Sequence, residues 1–466
     1  MINPVLLIAI PLLFAFLSVM FKKADKGFLI LGILFNLISA FFLKETEVII
    51  GGWKPPFGIN LVADQYSIFG LIILNIVFAF SVVSSLPSVK KYSTLLLVSL
   101  ASLNGMLLTG DLFNLFVFLE IASISAYIMS TMTKKYKGTF NYIILGALGS
   151  NLYLLGIIFL YSTVGTLNMS DMASKLHLVN NNVLLLSITF IFAGFAVEAK
   201  LIPFNGWVKG VYGNANDLNG GIFASAYATA AIMVFGRLFT NVFTLDGTLK
   251  TILLAVTVST FIFGEIAAFS QKNIRSTLAF SSVGQAGLIA TLFLTGITGG
   301  AMMQVANNAF AKLVMFTIAG AMYVYTGTDN VEKLQGLFKK HKLIGFGFSI
   351  AALSLVGLPI FYGFYVKIFA LTNLFKINSY WLPAFILFSS LIEGIYYIRM
   401  LVKLWNPGEE GKESKDEYTT KLSLENTFAY AVLAVIIGLF IIYISVNPEF
   451  ITQGISNYLS NIPGGM

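Results

Sequence analysis

The residues of this chain best suited to chemistry stand inside otherwise apolar segments. Glu120 lies in DLFNLFVFLEIASISAYIM, Glu198 and Lys200 in IFAGFAVEAKLIPF, Lys312 in NNAFAKLVMFTIAGAM and Lys367 in VGLPIFYGFYVKIFAL. A charge at the centre of a bilayer costs about 3 kcal/mol or more, and is rarely kept unless it faces the protein interior or a hydrated path. Charges of both signs on separate or broken helices point to an ion pathway. Polar residues at helical spacing extend the pattern. Gln304, Asn308 and Lys312 follow one another at i, i+4 and i+8, and Glu120, Ser123 and Tyr127 form a second line. Ser281 with Gln285, Ser225 with Thr229, and Ser389 with Glu393 and Tyr396 or Tyr397 make three more. Such lines either wire side chains and water through the interior or hold helices together, since buried polar groups also do the latter. For Lys312 and Glu120 the energetic cost favours function. Glu265 and Arg237 stand near helix ends, where they read as reaching the interface; Asp111 reads as a helix cap and Asn214–Asn219 as a loop and cap.

The elements that must position these groups are membrane helices. The chain is 57% hydrophobic and 11% charged, with mean hydropathy +0.85, a balance that excludes a soluble domain of this length. Its net charge of +8 reflects lysines gathered in short loops and does not indicate nucleic acid. Without cysteine there is no thiolate-bound iron–sulfur cluster and no disulfide, and the two histidines, His177 and His341, fall in polar connections. No metal site, cofactor or GxxxxGK[ST] nucleotide loop is expected. The N-terminal apolar run reads as a first span and not a cleaved signal, because its lysines follow it and no small-residue cleavage pattern appears.

Units of roughly 20 apolar residues give about 14 spans, an all-α polytopic membrane protein. Their limits are 3–21, 27–43, 66–87, 92–109, 111–131, 141–163, 183–203, 219–243, 249–270, 275–297, 301–325, 346–371, 380–404 and 427–447. Basic residues concentrate in odd-numbered loops, at Lys22, Lys23 and Lys26, Lys90 and Lys91, Lys134, Lys135 and Lys137, Lys209, Lys272 and Arg275, Lys333, Lys339, Lys340 and Lys342, and Lys412, Lys415 and Lys421. The even loops carry only Lys44, Lys54, Lys175, Lys250 and Lys376. The positive-inside rule then places the odd loops in the cytoplasm and both termini outside, in a cell inner or plasma membrane. Pro203 and Pro359 interrupt two spans and leave the carbonyls of Ala199 and Leu355 without a helical donor. They stand at matching places in 92–243 and 249–404, which suggests two inverted five-helix repeats with broken helices. Residues 1–91 then form an N-terminal group of three spans, and 405–466 a loop and last helix.

Five segments carry a family resemblance. FNLFVFLEI, GFAVEAKLIPFNGWV, NIRSTLAFSSVGQAG, NNAFAKLVMF and GLPIFYGFYVK resemble, in order, motifs of the antiporter-like subunits of respiratory complex I, membrane-bound hydrogenase-type complexes and multisubunit (Mrp-type) cation/proton antiporters. The resemblance runs over roughly residues 60–405 and implies a 14-helix core with proton movement through a central chain of Lys, Glu and His. It makes Glu120 the fifth-helix carboxylate, and Lys312 and Lys367 the central and exit-side lysines of the second half. Two departures stand out. Glu198 occupies a position where the family usually has Lys, and Asn205, Gln285 and Asn308 stand where His is common. Amides orient water but do not titrate near neutral pH. Either the chain conducts differently, with sodium near the two carboxylates, or its first half-channel is no longer competent. The early end after the last span implies an inner or compact subunit without a long lateral helix.

The resulting expectation is a proton- or sodium-translocating subunit of a membrane-bound respiratory or hydrogenase-type oxidoreductase. Ion translocation is assigned to Glu120, Glu198, Lys200, Lys312 and Lys367, with Gln285, Gln304, Asn308 and Glu393 in support. Redox chemistry would lie in partner membrane subunits. The alternatives are a D-type component of a multisubunit cation/proton antiporter, a structural pseudo-antiporter with an altered relay, and a stand-alone transporter.

Overall fold

The computed structural model describes residues 2–89, 92–243, 245 and 247–407, with positions 436, 438 and 443. Lys90, Lys91, Lys412, Lys415, Lys421 and almost all of the expected last span and of 405–466 lie outside the described residues. In lipid each backbone N–H and C=O must be paired within its own segment, which leaves the helix as the form for long apolar runs. Among the described residues, 10 helices are long and apolar enough to cross a membrane, and Leu6–Met20, Ser93–Leu108 and Lys342–Val356 are shorter apolar helices. The chain is a multi-span membrane protein. A hairpin of Thr46–Ile49 and Asn60–Ala63, which hydropathy does not announce, fills one connection.

The chain divides into two compact units. The first comprises residues 1–79, 89–207 and 226–256. Three of its connections are pinned to one another. Leu61 of the hairpin bridges to Thr109, and Asp111 bridges to Asn168. Asn168 also donates to Asn60 at 3.0 Å and caps the short helix Met169–Lys175. Inside the unit a ladder of amides joins four helices. Asn75 donates to Asn104 at 3.0 Å, and Asn104 donates to Asn36 at 2.9 Å and to the Leu7 carbonyl at 3.1 Å. Each such bond contributes about 0.6 kcal/mol in a membrane protein. Asn104→Ala is therefore expected to lower stability by about 1–2 kcal/mol, seen as a drop in Tm in detergent.

The second unit comprises residues 80–88, 208–225 and 257 onward. Its helices Ile274–Leu294 and Thr298–Thr326 are enclosed over most of their length. The connections at their far ends meet. Ile274 N–H donates to Asp329 O at 2.8 Å, and Val331 N–H to Lys272 O at 3.1 Å. Arg275, counted above as a topology marker, is buried there. It pairs with Asp329 at 3.0 Å, donates to Ala215 O and lies 3.7 Å over the Tyr323 ring.

The two spans that contain Pro203 and Pro359 are interrupted. The span expected at 346–371 is two pieces, Lys342–Val356 and Tyr362–Lys376, and the one expected at 183–203 ends at Glu198. These interruptions create the site described next.

Candidate functional site

In the first unit the helix Asn181–Glu198 terminates before Pro203 instead of kinking around it. Lys200 N–H bonds to Val197 O at 3.2 Å and Leu201 N–H to Ala196 O at 2.8 Å, the Schellman closure. That closure needs a left-handed residue, and Lys200 supplies it at φ 63°. A non-glycine residue held there costs about 1–3 kcal/mol. Trp207 supports the turn: its Nε1 donates to Val197 O at 3.2 Å and its ring stacks on Tyr142 at 3.9 Å. Pro203 is exposed and lies beyond the helix, so Ala199 is a helix terminus, not a carbonyl orphaned inside a continuing helix.

Glu198 occupies the last turn of that helix and accepts from Ser123 Oγ at 3.0 Å. Ser123 belongs to Leu112–Ser130, and Glu120 stands one turn earlier on the same helix. The Glu120 carboxylate acts electrostatically on Glu198, and both act on Tyr127. Both are half-buried, whereas Lys200 is buried. Tyr227 steadies the Glu120 helix, donating to Ala122 O at 3.1 Å and Ser99 Oγ at 3.0 Å. Glu120, Ser123, Glu198 and Tyr127 thus gather at the broken end of Asn181–Glu198.

The second break carries a different arrangement. Helix Lys342–Val356 closes through Gly357 at φ 79°, where an added Cβ would meet Lys367 Cδ at 2.8 Å. The termination leaves the Val356 carbonyl without a helical donor, at the negative end of the helix dipole. Lys367, on Tyr362–Lys376, fills that place and donates to Val356 O at 2.8 Å. The same ammonium pairs with Glu393 Oε2 at 3.1 Å. Glu393 Oε1 accepts from Gln285 at 2.8 Å, and Gln285 in turn accepts from Gln304. Lys367, Glu393, Gln285 and Gln304 therefore form one unbroken buried line. Beside it, Lys312 donates to Ser281 Oγ at 2.6 Å and Tyr397 OH at 3.0 Å, and those hydroxyls are 2.9 Å apart. Lys312, Glu393, Gln285 and Gln304 are 0% exposed, so the line runs wholly inside the unit.

Some expected members stay out of this line. Asn308 is buried, but its Oδ1 meets no partner among the described residues, and neither does Ser389 Oγ. Its neighbour Asn307 binds Ser354 instead, at 2.7 Å, and braces the break. Ser225 turns back to its own helix, donating to Gly221 O. Other groups differ from their expected role. Arg237 is buried and donates to the carbonyls of Leu107 and Thr109, so it does not snorkel. Glu265 does not reach an interface. It is 0% exposed and accepts from Tyr396 OH at 2.7 Å. The signal for it was present in the sequence, because STFIFGEIAAF is as apolar as the segment around Glu120. Nearness to the helix end obscured it. Asp111 and Asn216 do cap helices, accepting from the N–H groups of Asn114 at 2.7 Å and Asn219 at 2.8 Å.

Residues 109–393 match the transmembrane-region model of the NADH:quinone oxidoreductase/Mrp antiporter family. The chain belongs to that family. All five motifs singled out above fall inside the matched region. This antiporter-like chain is 30% identical to NADH-quinone oxidoreductase subunit N of Desulforudis audaxviator (strain MP104C), with 98% of each chain covered. It is 30% identical to the D component of the Na(+)/H(+) antiporter of Alkalihalophilus pseudofirmus, with 86% of each covered. Among solved structures it resembles a chain of the membrane-bound sulfane sulfur reductase, an archaeal respiratory membrane complex, at 29% identity and TM-score 0.88, covering 98% of this chain and 96% of that one. It shares its fold with a chain of the Mrp complex from Dietzia sp. DQ12-45-1b at TM-score 0.87 and 20% identity, covering 97% and 95%.

Proposed function

We propose that the chain is a cation-translocating, antiporter-like subunit that works with other membrane subunits of a respiratory or hydrogenase-type complex. It moves protons, or sodium ions, through the buried axis of its second unit. The observation that carries this reading is the enclosed Lys367–Glu393 ion pair, continuous with Gln285 and Gln304 and flanked by Lys312. Groups of opposite sign held in one buried line let a charge arriving at one change the proton affinity of the next. The proposed architecture is fourteen spans: the 10 long helices and three shorter apolar ones among the described residues, with the expected span 427–447 lying almost wholly outside them. Two inverted repeats at 92–243 and 249–404 accord with the two helix terminations, closed by left-handed Lys200 and Gly357. Odd loops in the cytoplasm and termini outside accord with the loop pairings. Hairpin, Thr109–Asp111 and Asn168 meet in one unit, and Lys272, Asp329 and Val331 in the other, each set separated by pairs of crossings.

In the first unit Glu120 and Glu198 offer a cation site at a helix C-terminus, the end that favours positive charge. Losing a hydrogen bond to a charged group costs about 1.5–3 kcal/mol, a factor of ten or more in rate if it acts in the transport barrier. Glu120→Gln combined with Glu198→Gln is therefore expected to cut ion flux about tenfold or more with assembly intact, measured in vesicles under proton and under sodium gradients. A second reading, a structural pseudo-antiporter, draws on the Gln285–Gln304 pair, since an amide holds no extra proton near neutral pH. Full flux in that double variant, and also in Lys367→Met, would favour it.

A further inference from the structure

Glu265 and Tyr396 lie outside the line just described, yet they adjoin it and an open cleft. The cleft, about 230 Å³ in volume, is bordered by Gln271, Lys272, Thr277, Glu332, Arg399 and Lys403, and Tyr396 is part of its wall. The Tyr396 ring is almost fully enclosed, at 1% exposure, so it stands at the inner limit of the cleft. Its hydroxyl donates to Glu265 Oε2 at 2.7 Å. The Tyr396 ring lies against that of Tyr397, with centroids 4.5 Å apart, and Tyr397 with Ser281 holds Lys312. The Glu265 carboxylate is pressed against the backbone of Gly284, where an added Cβ would lie 2.2 Å from Oε1. That Oε1 is buried and meets no hydrogen-bond partner among the described residues. The charges that act on Glu265 are those of Glu393 and Lys367, in the buried line, and of Lys312 beside it. A buried carboxylate with an unmatched oxygen gains little for packing and costs stability. A proton-holding role accounts for it.

We propose that this cleft is the cytoplasmic port of the second unit, and that Tyr396 and Glu265 pass protons between cleft water and the Lys312 end of the axis. In the inward step, a hydronium ion in the cleft gives a proton to the Tyr396 hydroxyl oxygen and becomes water, as that hydroxyl releases its own to Glu265 Oε2. The tyrosine ends neutral, and the carboxylate is neutralised by one proton. The proposal rests on the translocation reading above, and places the port on the side that the lysines mark as cytoplasmic.

The assembled complex in proteoliposomes tests it. Glu265→Gln and Tyr396→Phe keep side-chain volume and are expected to slow proton flux about tenfold, a barrier change of about 1.4 kcal/mol, with the complex intact. Glu265→Asp, which restores a carboxylate, is expected to recover part of the flux, a result that a purely structural role does not give. The natural chain has no cysteine, so Gln271→Cys introduces one thiol in this subunit. An impermeant, negatively charged methanethiosulfonate added from the cytoplasmic side is expected to label it and block flux, while labelling exposed Lys339→Cys leaves flux unchanged. Unaltered flux in Glu265→Gln and Tyr396→Phe, with loss in Lys312→Met, would overturn the port and leave the axis standing. Unaltered flux in all three would overturn the axis itself. Failure of Gln271→Cys to label from the cytoplasmic side, or labelling without block, would also overturn the port.

Discussion

Removing either partner of the Lys367–Glu393 pair is expected to destabilise the protein by about 3–5 kcal/mol, the usual cost of leaving one buried charge unmatched. Glu393 is wholly enclosed and Lys367 nearly so, so little water can take the place of the missing partner. Lys367→Met leaves Glu393, among the described residues, with the Gln285 amide, and takes from Val356 O its donor at the end of the broken helix. Glu393→Leu leaves the Lys367 ammonium with that single carbonyl, and leaves Gln285 Nε2 without an acceptor. The double variant removes both charges, and apolar replacements of buried ion pairs are often neutral or better. Much of the lost stability should therefore return in Lys367→Met/Glu393→Leu, read as Tm of the purified complex in detergent. Transport should not return with it. A double variant that recovered both stability and flux would mean that the pair serves only to hold helices.

Lys312→Met is expected to have the largest effect on flux with little effect on assembly. Lys312 is fully enclosed and is held by two neutral hydroxyls, and among the described residues no carboxylate forms a direct ion pair with it. Such an ammonium is worth little to packing, because its desolvation opposes folding. Methionine fills the same channel of space, and Ser281 and Tyr397, already 2.9 Å apart, remain partners for each other. Stability should stay level or rise, whereas flux should fall by at least about tenfold if the ammonium contributes about 1.4 kcal/mol or more to the transport barrier. Solvent-isotope and pH dependence of the residual flux, compared with those of the parent protein, would show whether Lys312 had been handling protons.

Much of this was legible in the sequence, for an identifiable reason. A membrane chain tolerates few titratable groups in its spans, so each one that remains is conspicuous, and Lys312, Lys367 and Glu393 needed only composition and helical spacing to be found. The broken helices were also visible, though their mechanism was not. Proline marks where a helix does not continue, but closure is made by the residue that adopts a left-handed backbone. That Lys200 does so, where glycine is the ordinary choice, cannot be read from residue types. Spacing on one helix failed for a different reason. Gln304, Asn308 and Lys312 share a helical stripe, yet Gln304 and Lys312 engage different partners on other helices and Asn308 engages none among the described residues. A stripe fixes direction, and the neighbouring helices decide what each side chain meets. Glu265 was noticed but read as reaching the interface, because distance from a helix end is a poor guide to burial: it is 0% exposed.

If the charge-bearing interior of the second unit moves the ion, proton uptake should depend on Lys312, measured in proteoliposomes containing the assembled complex, with a trapped pH-sensitive dye, at equal partner turnover for parent and Lys312→Met protein. Uptake reduced at least about tenfold in Lys312→Met, with unchanged subunit composition, is the predicted result. Uptake at the parent rate would contradict it.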